Sequence, residues 1–232
     1  MTESLARIAR DVVDCRLCPR LVAWREEAAA EPPRRFRGER YWARPLPAFG
    51  DPAARVLLVG LAPAAHGGNR TGRIFTGDSS GDFLFAALHA AGFANRPHSV
   101  SRNDGLALRG VLVTAAARCA PPGNRPTPAE FDRCRPYLVR EIAALPDLRV
   151  VVALGGLAFD RTLRAFRAAG LAIPPPRPRF AHGSEAAIGP YTLLGAYHPS
   201  QQNTFTGRLT PAMLRAVLRR AGRIAGLARM VD

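Results

Sequence analysis

An α/β fold built on a parallel sheet is predicted by three features of this sequence. Four short apolar runs recur, Arg55–Leu61, Val111–Ala116, Arg149–Gly155 and Tyr191–His198. Each is followed by a loop and then by helical apolar spacing, over about 80–92, 128–144, 157–169 and 210–226. No run approaches the roughly 18 apolar residues of a membrane helix. Short apolar runs bounded by turn formers read as buried strands. Strands alternating with helices imply βαβ units. Right-handed crossovers then bring all four strand ends to one edge.

In chain order, residues 1–24 read as an opening helix ending in Cys15-Arg16-Leu17-Cys18-Pro19-Arg20, and Leu21 to Ala30 continues as helix. Residues 31–53 carry five prolines, which block regular structure, and Arg34, Arg35, Arg37, Arg40 and Arg44 around Tyr41 and Trp42. Such an arm suits either a phosphate-and-base surface or a segment anchored to the domain by its aromatics. The first strand feeds a long glycine-rich loop, Gly60 to Asp78, where backbone can bend sharply or approach a ligand. The helix after it, Gly81 to Gly92, takes Ser79 or Ser80 as its expected N-cap. Residues 171–190, with Pro174-Pro175-Pro176, read as a connection within one domain spanning 1–232. The last helix sets Met213, Leu214, Val217, Leu218 and Ala221 on one face, with Arg215, Arg219 and Arg223 on a solvated one.

The formal net charge is +15, and every basic residue is arginine. A field of this sign attracts polyanions, and nucleic acid is the expected partner; a merely basic enzyme is the plainer alternative. Residues 1–14 lack the apolar core of a signal peptide and hold Glu3, Asp11 and Asp14. The expected location is the cytoplasm, at the nucleoid, and the expected state a monomer.

Four cysteines occur, the pair Cys15 and Cys18 and the wider pair Cys119 and Cys134. In a reducing compartment a metal or redox site is favoured over disulfides. Zinc and a [4Fe–4S] cluster both accept four thiolates, and spacing does not separate them. Free buried cysteines are the bland alternative.

In a parallel sheet the loops after the strands converge. They would gather Phe75, Asp78, Asn124 and His198. A flat ring stacks on a planar base, and a carboxamide pairs with an imide edge. An imidazole donates to an oxygen where charge builds on a departing base. A carboxylate orients water or faces a sugar cation. Together these groups permit cleavage of an N-glycosidic bond. A non-catalytic DNA-binding module, or an enzyme acting on nucleosides or RNA, are the rival readings. The loop is no Walker A, since no Gly-Lys-Ser/Thr follows.

Gly60-Leu61-Ala62-Pro63 with Asn69-Arg70-Thr71-Gly72-Arg73 and Phe75-Thr76-Gly77-Asp78 resembles the first motif of the type-5 (family b) uracil-DNA glycosylases. Tyr197-His198-Pro199-Ser200 with Gln202-Asn203-Thr204 resembles their second, and Cys15-Arg16-Leu17-Cys18-Pro19-Arg20 and Arg118-Cys119-Ala120-Pro121-Pro122 resemble their iron–sulfur segments. The resemblance implies a three-layer α/β/α sandwich around a four-stranded parallel sheet. It implies a structural [4Fe–4S] cluster on Cys15, Cys18, Cys119 and Cys134, the first pair within an N-terminal segment 1–50. Asp78, His198 and Asn124 would be catalytic. Gly60, Phe75, Asn124 and His198 would bind the base, and Arg73, Ser200, Gln202 and Asn203 would meet DNA. Leu61, where other glycosylase families carry a polar residue, and Thr114-Ala115, where they place an asparagine, match the type-5 pattern. They imply a roomier pocket that takes hypoxanthine and other altered bases besides uracil, in single- or double-stranded DNA.

Overall fold

A computed structural model describes residues 3–227. Two helices open the chain, α1 (Leu5–Val13) and α2 (Pro19–Ala30), where the sequence predicts one continuous helix. Asp14 closes α1, and Pro19 starts α2 at a position where its missing N–H is no loss. The Cys15–Cys18 segment is thereby freed as a turn.

The arm crosses to a two-residue edge strand, β1 (Phe49–Gly50), and then β2 (Val56–Gly60) enters the core. A short turn of helix, α3 (Gly68–Thr71), lies inside the glycine-rich loop, and α4 (Ser79–Ala90) follows it. Next come β3 (Val111–Ala115), α5 (Pro128–Ala143), β4 (Val150–Leu154) and α6 (Gly156–Ala168). The hairpin β5 (Glu185–Ile188) and β6 (Tyr191–Ala196) precedes α7 (Gln201–Phe205) and α8 (Pro211–Ile224). No helix among the described residues is long and apolar enough to cross a membrane.

The sheet order is β1-β3-β2-β4-β6-β5. The four inner strands are parallel, as the sequence predicts, but antiparallel β1 and β5 extend them to a six-stranded mixed sheet. Strand β5 hides in the proline-rich connection because Glu185-Ala186-Ala187-Ile188 has one β-branched residue and is mostly exposed. Every residue of β2, β3 and β4 is buried, as strands covered on both faces must be. On one face Val56, Leu58, Val113 and Val152 pack with α4 and α8. On the other Leu57, Val59, Leu112 and Val151 pack with α5 and α6. The result is the expected α/β/α sandwich. In register Gly60 pairs with Ala115 and Leu154 with Ala196, so the inner strands end level along one edge.

Candidate active site at the strand ends

Gly60 closes β2, and its missing side chain is what admits Phe75. A Cβ there would fall 2.6 Å from Phe75 Cε2. Phe75 itself sits at φ +52, a left-handed backbone uncommon outside glycine. Gly81 in the first turn of α4 holds it there; a Cβ at Gly81 would lie 1.9 Å from the Phe75 carbonyl oxygen. Thr76 behind it is buried, and its hydroxyl meets Ser99 Oγ at 2.6 Å.

Asp78, not Ser79 or Ser80, is the N-cap of α4, its Oδ1 accepting the Gly81 N–H at 2.9 Å. Oδ2 turns toward Gly67, where a Cβ would stand 2.3 Å away. Burial pushes the Asp78 carboxyl above its ordinary 3.8, against the pull of the Gly81 and Ser80 N–H groups. Arg70 ties the loop shut around this pair. Its Nε donates to the His66 carbonyl at 2.8 Å and its Nη2 to that of Gly77 at 3.2 Å, the neighbours of Gly67 and Asp78. Gly67→Ala is therefore expected to displace the carboxylate. With a misplacement of an ångström costing about 10²-fold, turnover should fall steeply while the melting temperature barely moves; unchanged turnover would remove Asp78 from the site.

His198 follows β6 beside Gly155, whose φ of +102 disfavours a side chain and where a Cβ would stand 3.2 Å from His198 Cβ. Asn203 Nδ2 donates to the His198 carbonyl at 2.9 Å, fixing the loop from α7. Burial pushes the imidazole down to about 4, so it is neutral at physiological pH. Its ring centroid lies 5.9 Å from that of Phe75, tilted 36°. A base held between two rings needs about 7 Å, twice an ordinary carbon contact. The space between the two rings is thus too narrow for a base to lie between them.

A buried carboxylate and a strained aromatic ring follow β2, and a neutral imidazole follows β6, with β4 between the two strands. The family model of the Uracil DNA glycosylase superfamily matches residues 47–222. A type-5 uracil-DNA glycosylase of Mycobacterium tuberculosis is 54% identical over 92% of this chain and 79% of its own length. Type-5 uracil-DNA glycosylases of Thermus thermophilus (54% identical, 92% of this chain, 94% of its own) and Mycobacterium leprae (50% identical, 97% of each) are similar at comparable extent. The chain belongs to the uracil DNA glycosylase superfamily. The superfamily match takes in the whole sheet and both motif loops, and it begins after Cys15 and Cys18.

Asn124 is exposed at φ +57 in the turn Pro122–Asn124, and among the described residues no hydrogen bond joins it to Phe75, Asp78 or His198. Of the residues expected at DNA, Gln202 is exposed and Ser200 half-buried, while Asn203 spends its amide nitrogen on His198. The sequence reading passed over Phe205, 79% exposed at the end of α7. An aromatic ring inside the polar stretch Gln201-Gln202-Asn203-Thr204 was the available signal.

Arg73 corrects the sequence reading. It is 4% exposed, its Nη1 bonds both Asp104 oxygens at 2.9 Å, and its guanidinium lies 4.3 Å over the Phe49 ring. It is an interior strut, not an open phosphate contact. Burial would raise the Asp104 carboxyl, but N–H groups of Leu106 and Val100 and the Arg73 fork hold it at about 2. That stability is present above the ordinary 3.8 and fades as pH falls toward 2. Arg73→Met is expected to lose about 3 kcal/mol, the low end for breaking a buried pair. Thermal unfolding at pH 7 checks this; an unchanged melting temperature with weakened DNA binding would restore the phosphate role.

The aromatics of the arm are packed on the domain, while Arg34, Arg35, Arg37, Arg40 and Arg44 stay exposed. Tyr41 is 8% exposed with its hydroxyl 3.1 Å from His66 Nδ1, and the Trp42 and Ala43 N–H groups donate to Arg70 and Asn69 carbonyls. No disulfide joins the four cysteines, of which Cys15 is half-buried and the others buried. Cys18 and Cys119 pack together around Leu21, joining the N-terminal turn to the loop after β3. Among the described residues no three His, Cys, Asp or Glu side chains stand close enough to grip a single ion. A groove of about 400 Å³ opens elsewhere, between Phe159, Pro174, Pro176 and Glu185, and holds none of the candidate groups.

Proposed function

We propose that this chain excises uracil from DNA by hydrolysing the N-glycosidic bond, leaving an abasic site. The observation that carries the reading is the neutral His198, its ring 5.9 Å from that of Phe75, with the desolvated carboxylate of Asp78 three residues on from Phe75 in the same loop. The relatives are named uracil-DNA glycosylases, which supports the same bond and the same base. The base must leave the duplex first, at a cost of a few kcal/mol that mispairing lowers. Phe75 then stacks on it, and the exposed amide of Asn124 reads its edge. As the C1′–N bond lengthens, its electron pair moves onto the base, where the neutral imidazole donates to an oxygen. The Asp78 carboxylate faces the sugar, where positive charge develops and water adds. Ser200, Gln202 and the exposed ring of Phe205 line the groove beside the gap. The absence of lysine argues against a Schiff-base lyase step.

The substrate range extends, in this reading, to hypoxanthine and other deaminated bases, since Leu61 and Ala115 bring no polar group that demands one base. The four cysteines, from the segment before α2, the loop after β3 and α5, would hold a [4Fe–4S] core, which accepts four thiolates; the packing of Cys18 with Cys119 supports this. The contribution of the core is structural, stapling the N-terminal turn to the sheet. The enzyme acts as a monomer on the chromosome. Duplexes carrying uracil or hypoxanthine opposite each base, and their single strands, are the test. Alkali-labile sites are expected at uracil without prior strand cleavage. No alkali-labile product from any substrate at several pH values would reject the proposal.

A further inference from the structure

Arg25, Arg73 and Arg118 are buried among the described residues. Arg73 faces Asp104, and Arg118 faces Glu141 at 2.7 Å. Arg25, 2% exposed, has no carboxylate partner among the described residues. Its neighbour Glu26 is held by Arg16 at 2.6 Å on the exposed side. The Arg25 Nη1 donates instead to Cys119 Sγ at 3.1 Å and, more weakly, to the Cys15 carbonyl at 3.4 Å. Its Nε is buried with no acceptor.

A guanidinium stays charged in any protein. Buried without a counter-charge it is strongly unfavourable, and neutral thiols supply none. Four thiolates around an iron–sulfur core carry net negative charge, and the Cys119 sulfur among them is the group Arg25 donates to. We propose that Arg25 is the buried counter-charge of the four-cysteine centre, holding the Cys119 sulfur by a charged hydrogen bond. This rests on the iron–sulfur reading of the cysteines and adds a residue outside the ligand set. Its other polar duty is a backbone one, the Arg25 carbonyl accepting from Asn69 Nδ2 at 3.1 Å, which substitution leaves in place.

The role predicts effects of opposite sign in the two forms of the protein. Without the cluster Arg25 is a liability, so the Arg25→Met apoprotein should melt above wild-type apoprotein. With the cluster it is the missing partner, so Arg25→Met should lose iron to a chelator about 10–100-fold faster, the usual effect of removing an outer-shell partner. Its reduction potential should also move negative, since a nearby cation favours the reduced core. Arg25→Lys, which keeps the charge and loses the fork, should fall between. Anaerobic iron release from the full chain, followed optically, decides the matter even if one apoprotein does not hold its fold. Release at the wild-type rate from both variants would overturn the role of Arg25 alone. Wild-type protein purified anaerobically without iron and sulfide would overturn the cluster reading, and this role with it.

Discussion

Asp78→Asn is expected to lose about 10²–10⁴ in turnover, the range for a positioned acid–base group, while keeping the fold and binding uracil-containing DNA. The side chain has two duties that this substitution separates. As N-cap of α4 it accepts the Gly81 N–H, and the asparagine oxygen can do the same. As a charge at the strand ends it has no substitute. The stability effect runs the other way. Burial raises the folded-state pKa above 3.8, so the contribution of this group to stability is full below 3.8 and is lost as pH rises through the raised value. At neutral pH the ionised carboxylate therefore burdens the fold, and the asparagine variant should melt at or above the wild-type temperature. The acid limb of the wild-type rate profile should lie above 3.8, because only the ionised form faces a sugar cation. An Asp78→Asn enzyme with wild-type turnover would place the chemistry on another group.

His198→Ala is expected to lose about 10²–10³, as removing one donor to a developing oxyanion does. The loss should depend on the leaving base. Uracil departs as an anion that needs the imidazole, whereas 5-fluorouracil, a more acidic base, carries its charge with less help. The penalty should therefore shrink for 5-fluorouracil. With a pKa near 4, His198 is neutral through the working range, so its protonation contributes no limb above about pH 5. Equal losses on both bases would indicate that His198 shapes the loop and does not meet the leaving group.

The inner strands were legible because each is a short run of Val and Leu buried on both faces, a pattern that local sequence alone imposes. From their parallel order followed the approach of the Phe75 and His198 rings. What escaped was decided by contacts distant in sequence. Arg73, read as a DNA contact within a glycine-rich loop, pairs with Asp104 and stacks on Phe49, neither in its own motif. Ser79 and Ser80 were as plausible as N-caps as Asp78, and only the loop closure by Arg70 decides which side chain turns back. The break between α1 and α2 was marked by Pro19, whose preference for the first helical turn outweighs the continuous helical pattern around it. Strand β5 forms because the hairpin at Gly189, φ +55, folds it onto β6, not because its alanines favour a strand. Phe205 had a signal, an apolar ring among polar residues, but its exposure is a property of the folded tip of α7.

The central claim is that the strand-end groups break one bond, between a uracil and its sugar. Mass analysis of a duplex with a single uracil, after incubation with wild-type protein in ¹⁸O-labelled water, tests it directly. Free uracil is expected, with an unbroken strand that has exchanged the base for one labelled oxygen at the sugar. A strand of unchanged mass, or one cut with the uracil still attached, would contradict it.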